Sequence, residues 1–485
     1  MSMKPAESPR SDQQKYMSQD TVHPPNTVPA VTVPAERATT GQRVNNRGHR
    51  LIWRFGTLGW FTIDCATAMF SVLLASLISP HPSALYAVPL VPLCVAYSVL
   101  LSTLAHISGL HDPRYPRRVI DLIGRIALVV STALILLTLE LLLVHFMKIG
   151  RYVLFLTAFL SITSMVTARL IVWYFSSNFA QTICFLGEDR FCFEAAQFLD
   201  EHPLPFNITT ALEYHSQDKR EALCDWAISR DVDEIVYDPN SELVNEQSLL
   251  QCLDQAIKIS SYPDFVESNY CMVPVEDIDA KWLFSAQLEL AHPYYNGLKR
   301  LVDILAALAG MVLISPVMLV VMAAIKLESR GPIFYSQTRV GRFNRPFRIY
   351  KLRTMVLDAE KDGAQWAQQQ DARITRIGNL LRRTRLDESP QFWNIFTGEM
   401  SLVGPRPERP EFVEMLQEQI PFYVQRHLVK PGLTGWAQIN YPYGSSIEDA
   451  KNKLKFDLFY VKHASLSLDT PIVLRTIGAV MKGAR

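Results

Sequence analysis

"KRLVDILAALAGMVLISPVMLVVMAAIKL" runs from Lys299 to Leu327. Its apolar core, Leu301–Ile325, exceeds the roughly 20 residues a helix needs to cross a bilayer. Its flanks argue for entry and return instead. Lys299 and Arg300 stand at one end, and Arg330, Arg339, Arg342, Arg345 and Arg348 follow the other. A crossing would leave one basic cluster outside, against the positive-inside bias. Ser315 and Pro316 sit in the middle. Proline has no N–H, and its ring clashes with the carbonyl four residues back, that of Val312, so the helix should kink. The Ser315 hydroxyl can help satisfy the freed backbone. Asp303 should pair with Lys299 and Arg300 at the interface. These features predict a re-entrant membrane helix over 299–327, in competition with a proline-kinked spanning helix.

Four further apolar runs precede it, near Leu58–Ser79, Ala84–Ile107, Val119–Met147 and Tyr152–Phe175. One such run could be a buried core helix; four in succession read as transmembrane helices, giving a membrane region over 51–178. Arg37, Arg43, Arg47, Arg50 and Arg54 precede the first span, and Arg114, Arg117 and Arg118 lie between the second and third. That bias puts the N-terminus, the middle loop and everything after Phe175 in the cytoplasm; Lys148 and Arg151 are a weak exception. Asp64 and Glu140 fall within spans, where charge is costly and is either functional or packed. Residues 1–50, rich in Pro, Thr, Gln and Ser, are expected to be disordered and do not form a secretory signal.

Residues 179–292 read as a small Rossmann-like α/β domain. "QTICFLGEDRF" is a strand ending at Gly187, "FEAAQFL" a short helix, and "VDEIVYDP" a second strand. The GxGxxG phosphate loop is absent, which favours regulation or packing over dinucleotide binding. The seven cysteines show no metal-like spacing, and none lies beyond Cys271.

Residues 293–485 carry the chemistry. "QTRVGRFNRPFRIYKLRTM" and "RITRIGNLLRRTRLDE" are strongly basic and include Arg353, Arg382, Arg383 and Arg385. A membrane-surface patch, nucleic-acid binding and a phosphorylated substrate all use such residues. No nucleic-acid module is visible. In "LRRTRLDESPQFWNIF", Leu381–Phe396, two adjacent acids, Asp387 and Glu388, follow the arginines. They would weaken a membrane patch, but in phosphoryl transfer one carboxylate can attack phosphorus and the other hold Mg²⁺. Simple pairing with the arginines is the plain alternative. With no cysteine, phosphate loop or GxSxG elbow here, a carboxylate is the leading nucleophile. Arg406, between two prolines in "GPRPERP", is carried on a stiff loop suited to a diphosphate. "QRHLVKPGLTGWAQINYPYG" resembles an interfacial segment with Trp436 at headgroup level. The final helix places Leu454, Leu458 and Val461 on one face, against membrane or core.

The order of "KRLVDILAALAGMVLISP", "SRGPIFYSQTRVG", "YKLRTM", "TRIGNLLRRTRLDESPQFWNIFTGEMSLVGPRPE" and "VKPGLTGWAQINYPYG" resembles the bacterial sugar transferase family, the polyprenyl-phosphate sugar-1-phosphate transferases. The upstream spans and α/β domain resemble its long-form members. The resemblance implies a membrane protein with a four-helix transmembrane N-terminal region, a Rossmann-like α/β middle domain and a mostly α-helical monotopic catalytic domain with a re-entrant membrane helix. It implies Asp387 as nucleophile, Glu388 as Mg²⁺ ligand, and Arg353, Arg382, Arg385 and Arg406 as phosphate ligands. Lys299, Arg300 and Asp303 would seat the re-entrant helix, and Ser315 and Pro316 would break it. The usual context of the dyad is "LDELPQ"; Ser389 replaces that leucine. The implied donor is a UDP-sugar, with UDP-glucose or UDP-galactose expected, and the acceptor is undecaprenyl phosphate. UMP would leave, at the cytoplasmic face of a bacterial inner membrane. Membrane lipid is a partner, nucleic acid is not, and a homo-oligomer is compatible. A non-catalytic scaffold or sensor, or a nucleotide-sugar hydrolase, are the alternatives.

Overall fold

A computed structural model describes residues 56–78, 90–111, 119–143, 151–177, 181–201, 208–213, 222–278, 282, 284, 293–356, 373–442, 444 and 446–481. The N-terminal tail and the loop residues Arg114, Arg117, Arg118 and Lys148 lie outside this set. Among the described residues, five helices are long and apolar enough to cross a membrane. The chain is a mostly helical membrane protein.

Four of these helices are α1 (Gly56–Ile78), α2 (Leu90–Ile107), α3 (Val119–Leu143) and α4 (Arg151–Ser177). They pack on one another around Tyr97, Leu101, Ile126 and Met165. Of the two acids singled out in the sequence, only Asp64 lies inside the bundle. Asp64 is fully buried, but it is engaged: Arg169 donates to both its oxygens at 2.8 Å, and His111 Nε2 lies 2.9 Å from Oδ2. Arg169 also stacks over Trp60, 5.0 Å from the ring centroid. Arg125 is buried too, whereas Glu140 faces outward on α3. Sequence inspection overlooked Arg125 and Arg169 because they sit inside apolar runs; a buried charge needs its counter-charge, so Asp64 should have prompted the search.

The next segment alternates strands and helices: β1 (Gln181–Leu186), α5 (Asp189–Glu201), β2 (Ile208–Glu213), α6 (Leu223–Ser229), β3 (Glu234–Tyr237), α7 (Glu246–Asp254), β4 (Lys258–Ser261) and α8 (Tyr262–Tyr270). The sheet is wholly parallel, in the order β2-β1-β3-β4. "VDEIVYDP" is therefore its third strand. The intervening β2, "ITTALE", was missed because it carries two threonines rather than a bulky apolar run.

The rest is built on α9 (Pro293–Glu328). Around it lie β5 (Phe334–Val340) and β6 (Pro346–Leu352), an antiparallel pair, then α10 (Arg376–Arg383) and α11 (Gln391–Thr397). The short strands β7 (Ser401–Val403) and β8 (Gly432–Thr434) pair in parallel. Helices α12 (Pro410–Gln419), α13 (Trp436–Asn440), α14 (Ile447–His463) and α15 (Leu466–Met481) complete the unit. In α14 the apolar face of Leu454, Leu458 and Val461 is buried in protein, which decides between the two surfaces left open by the sequence.

Two expectations fail. Trp436 is not at a lipid interface: it is 5% exposed, and its indole N–H donates to the Cys271 carbonyl at 2.8 Å. An indole that finds a buried acceptor has no need of the headgroup layer. Nor does Asp303 pair with Lys299 and Arg300. It accepts from the Ser401 hydroxyl (3.0 Å) and the Leu402 amide (2.9 Å). Lys299 pairs with Asp469 at 2.6 Å, and Arg300 donates to the carbonyls of Ile395 and Phe396 at 2.6 and 2.7 Å. Those carbonyls end α11, where a helix has acceptors to spare.

Candidate active site

Asp387 and Glu388 lie in a 3₁₀ turn, Leu386–Glu388, between α10 and α11. Arg385, just before it, has φ of +58°, an uncommon left-handed geometry for a side-chain-bearing residue. That bend turns the chain from the arginine helix into the dyad. The acids are 8% and 7% exposed, so both work in a low-dielectric setting.

Their environments differ sharply. Glu388 Oε1 receives Lys351 Nζ at 3.0 Å and an Arg406 guanidinium nitrogen at 2.7 Å; Arg385 lies 3.9 Å from Oε2. Burial opposes its charge, but Arg406, Lys351 and Arg385 together hold its carboxyl far below the usual range. Asp387 goes the other way. Burial and then the neighbouring Glu388 push its pKa up, restrained by Lys351, Arg382 and Arg385. Its Oδ1 is buried and has no hydrogen-bond partner. One acid is thus pinned and the other has a bare oxygen, which is what a nucleophile beside a fixed anionic anchor requires.

Arg406 is held by backbone. Gly404 N–H donates to Thr434 O at 2.8 Å, and Gly432 N–H to Pro405 O at 2.9 Å. The chains are so close that a Cβ on Gly432 would sit 2.1 Å from Gly404 N. Arg426, itself paired with Asp457 at 2.7 Å, donates to the Arg406 carbonyl at 3.0 Å.

The other arginines are placed differently. Arg382 Nε donates to Thr354 Oγ1 at 2.9 Å. Arg353 is buried and turned away, donating to the Ser329 carbonyl and hydroxyl and to the Arg330 carbonyl at 2.8–2.9 Å. It ties the end of α9 to β6. The break expected at Ser315 and Pro316 is not found: α9 continues through Pro316 as one helix, and the Ser315 hydroxyl donates to the Val312 carbonyl at 2.8 Å. That is the acceptor the proline leaves without its amide.

Two residues escaped the sequence reading. Lys351, in "YKLRTM", contacts Glu388 directly; alternation along β6 puts it on the face of the buried Ile349. That period of two was the available signal. Gln391, four residues after Asp387, lines the same crevice as Glu388 and Arg406, and its buried Nε2 has no acceptor. Its signal was the "LDELPQ" context of the dyad, of which it is the final residue. Asn394 carries the frame: its side chain accepts from Tyr350 N–H (3.2 Å) and donates to Arg348 O (2.7 Å), locking α11 to β6.

Among the described residues no group of three or more His, Cys, Asp or Glu side chains gathers. Mg²⁺ commonly takes one or two protein carboxylates and completes its shell with substrate phosphates. The adjacent acids fit that habit.

Residues 294–483 match the family described as bacterial sugar transferase. A protein from Rhizobium leguminosarum bv. phaseoli, "Exopolysaccharide production protein PSS", is 38% identical over 37% of this chain and 93% of its own length. The chain belongs to the bacterial sugar transferase family. Other relatives in the family include the Aeromonas hydrophila "UDP-N-acetylgalactosamine-undecaprenyl-phosphate N-acetylgalactosaminephosphotransferase", 48% identical over 49% of this chain and 56% of that protein. The "UDP-glucose:undecaprenyl-phosphate glucose-1-phosphate transferase" of Escherichia coli (strain K12) is 45% identical over 39% of this chain and 41% of that protein. The match thus spans about half the length of these two transferases. The Asp387–Glu388 turn, β5–β6 and all of α9 after Pro293 fall inside the family's matched range.

Proposed function

We propose that this protein transfers a sugar 1-phosphate from a UDP-sugar to undecaprenyl phosphate and releases UMP, starting an exopolysaccharide or O-antigen chain. The observation that carries this is the contrast within the dyad: a bare, buried Asp387 oxygen beside a Glu388 clamped by two cations. In the first step an Asp387 oxygen attacks the sugar-bearing phosphorus. The P–O bond to UMP breaks and its electron pair leaves with UMP. In the second step an oxygen of the lipid phosphate attacks the same phosphorus, and the carboxylate departs. The acyl phosphate between the two steps keeps its transfer potential, so neither step is uphill by much. Arg406, Arg382 and Arg385 supply positive charge, and the free Gln391 amide donates to a phosphate oxygen. Glu388 would hold Mg²⁺ together with the substrate phosphates. That ion would neutralise charge on the departing nucleotide.

The reading includes an architecture: a four-helix membrane region, a Rossmann-like middle domain and a re-entrant α9 at the inner face of a bacterial cytoplasmic membrane. Contacts along α9 support re-entry. One domain touches it at Arg300, at Gly310, at Met318 and, through Arg353, at Ser329. A straight helix over that interval would measure about 44 Å at 1.5 Å per residue, more than a bilayer's apolar core. A crossing would therefore pull this domain's charged contacts into lipid.

The test uses purified full-length protein with undecaprenyl phosphate, Mg²⁺ and a panel of UDP-glucose, UDP-galactose and UDP-N-acetylgalactosamine. UMP release that depends on lipid, together with the mass of the lipid product, identifies reaction and sugar. UMP release at the full rate without lipid would mean hydrolysis. A phosphosugar adduct on any residue but Asp387 would overturn the nucleophile. Cysteines placed at Leu301 and Leu327 should be labelled from the same side; labelling from opposite sides would make α9 a spanning helix.

A further inference from the structure

Between the second half of α9 and the start of α11 lies a cavity of about 550 Å³. This volume falls within the range of about 300–1,000 Å³ common for small-molecule sites. Its α9 wall presents Met311, Met318 and Met322, and the facing wall includes Phe334, Ser389 and Trp393. The wall is almost wholly apolar, so a polar ligand would lose its hydration without compensation. Methionines adapt to irregular, branched shapes better than stiffer residues do.

Position is as informative as lining. Ser389 and Pro390 border the cavity and directly follow Asp387 and Glu388 in the chain. The space thus reaches the residue next to Glu388 in the chain. On the other side α9 offers a broad exposed apolar surface that includes Val312, Leu313 and Val320. Trp393, 52% exposed, stands at the rim, where an amphipathic ring suits the water–lipid boundary. A ligand that fits both ends is a branched hydrocarbon whose terminal group is an anion.

We infer that this cavity seats the first isoprene units of the prenyl phosphate acceptor, and that Ser389 sets its depth. The inference rests on the transferase reading above, and it adds where the acceptor's hydrocarbon enters. The Ser389 hydroxyl is occupied inside the wall: it donates to Leu386 O at 2.7 Å and lies 3.1 Å from Met318 Sδ. The side chain therefore lies flat and leaves the space open. A leucine, the usual residue in this context, is larger and cannot make either bond. It would project into the cavity.

The decisive experiment is photolabelling of the wild-type protein in nanodiscs, using a prenyl phosphate with a diazirine in its first isoprene unit. Label should concentrate on Met318, Met322 and Trp393, and unmodified undecaprenyl phosphate should compete it away. Label spread evenly along α9, or confined to α1–α4, would overturn the proposal. A second readout is the KM split of Ser389→Leu. Its KM for the lipid should rise about tenfold, the lower range for a few methylenes in an apolar pocket, and more than its KM for the UDP-sugar. Equal changes in the two KM values would count against the cavity. A protein that labels as expected but turns over no UDP-sugar would sink the transferase reading and leave the lipid site standing. Turnover with label elsewhere would do the reverse.

Discussion

The bundle α1–α4 and the single helix α9 have similar composition and opposite social lives. Between 22% and 39% of the apolar windows of α1–α4 is buried within the protein, against 6% for α9. In the bundle the helices cover one another, and the charges meet inside it, as Asp64 does with Arg169 and His111. In α9 the polar residues reach out to a separate domain: Lys299 to Asp469, Arg300 to the end of α11, Asp303 to β7. Hydropathy alone treats the two alike. What separates them is whether polar side chains are satisfied within the membrane layer or at the surface of a folded domain. On the proposed function the first arrangement makes an anchor, and the second seats a reaction centre on lipid.

The sharpest way to break this contrast is to remove the proposed chemistry from one side only. Asp387→Asn should lower UMP release by at least about 10³-fold, as loss of a nucleophile does, while the protein still inserts and folds. Retained turnover would dissolve the distinction between reaction centre and anchor. Next in size is Asp64→Asn. Removing one partner of a buried ion pair costs about 3–5 kcal/mol, so thermal unfolding of the bundle should come markedly earlier. Transfer by the molecules still folded should remain measurable. Abolished transfer in a folded Asp64→Asn protein would give the bundle a catalytic part.

Asp303→Ala should cost less, about 1–3 kcal/mol, for leaving the Ser401 hydroxyl and Leu402 amide without their acceptor. The loss should show in hydrogen exchange at β7 and not in the bundle. Exchange rising equally in both would mean that the two regions unfold as one.

The smallest effect is on acidity, and its sign separates the two acids. Glu388 has a lowered pKa, so its contribution to stability is fully present above its unfolded value and is lost as pH falls through the folded one. Asp387 has a raised pKa, so its ionised form costs stability, and acidification removes that cost. On the proposed mechanism Asp387 must be ionised to attack. Turnover should therefore fall on acidification before the catalytic domain unfolds. Lys351→Met, which deletes a cation that restrains Asp387, should move that fall to higher pH. A shift to lower pH would show that Lys351 does not act on Asp387.

Much of this was legible in the chain. Long apolar runs announced the membrane helices because burying that much hydrocarbon leaves few other options. The order of motifs around Asp387 pointed to the family before any coordinates. Ser315 was expected to serve the backbone at Pro316, and its hydroxyl does reach Val312 O. Other features were not legible. Trp436 reads as an interfacial residue until Cys271, 165 positions earlier, supplies its acceptor. Asp303 reads as a partner of Lys299 until Ser401 arrives to claim it. Gln391 closes the dyad's motif, but only the fold shows its amide lining the same crevice as Glu388 and Arg406.

By itself the sequence determined what is periodic or local: which segments are apolar, where a proline removes an amide, and which acids follow which arginines. Only the tertiary structure decided which of two neighbouring carboxylates is clamped and which is bare. That choice depends on Lys351 and Arg406, 37 and 18 residues from Glu388, arriving at one oxygen. Local preference is a property of a few consecutive residues. The charge state of a buried group is set by whatever the fold brings within a few ångströms, and no stretch of chain carries that information alone.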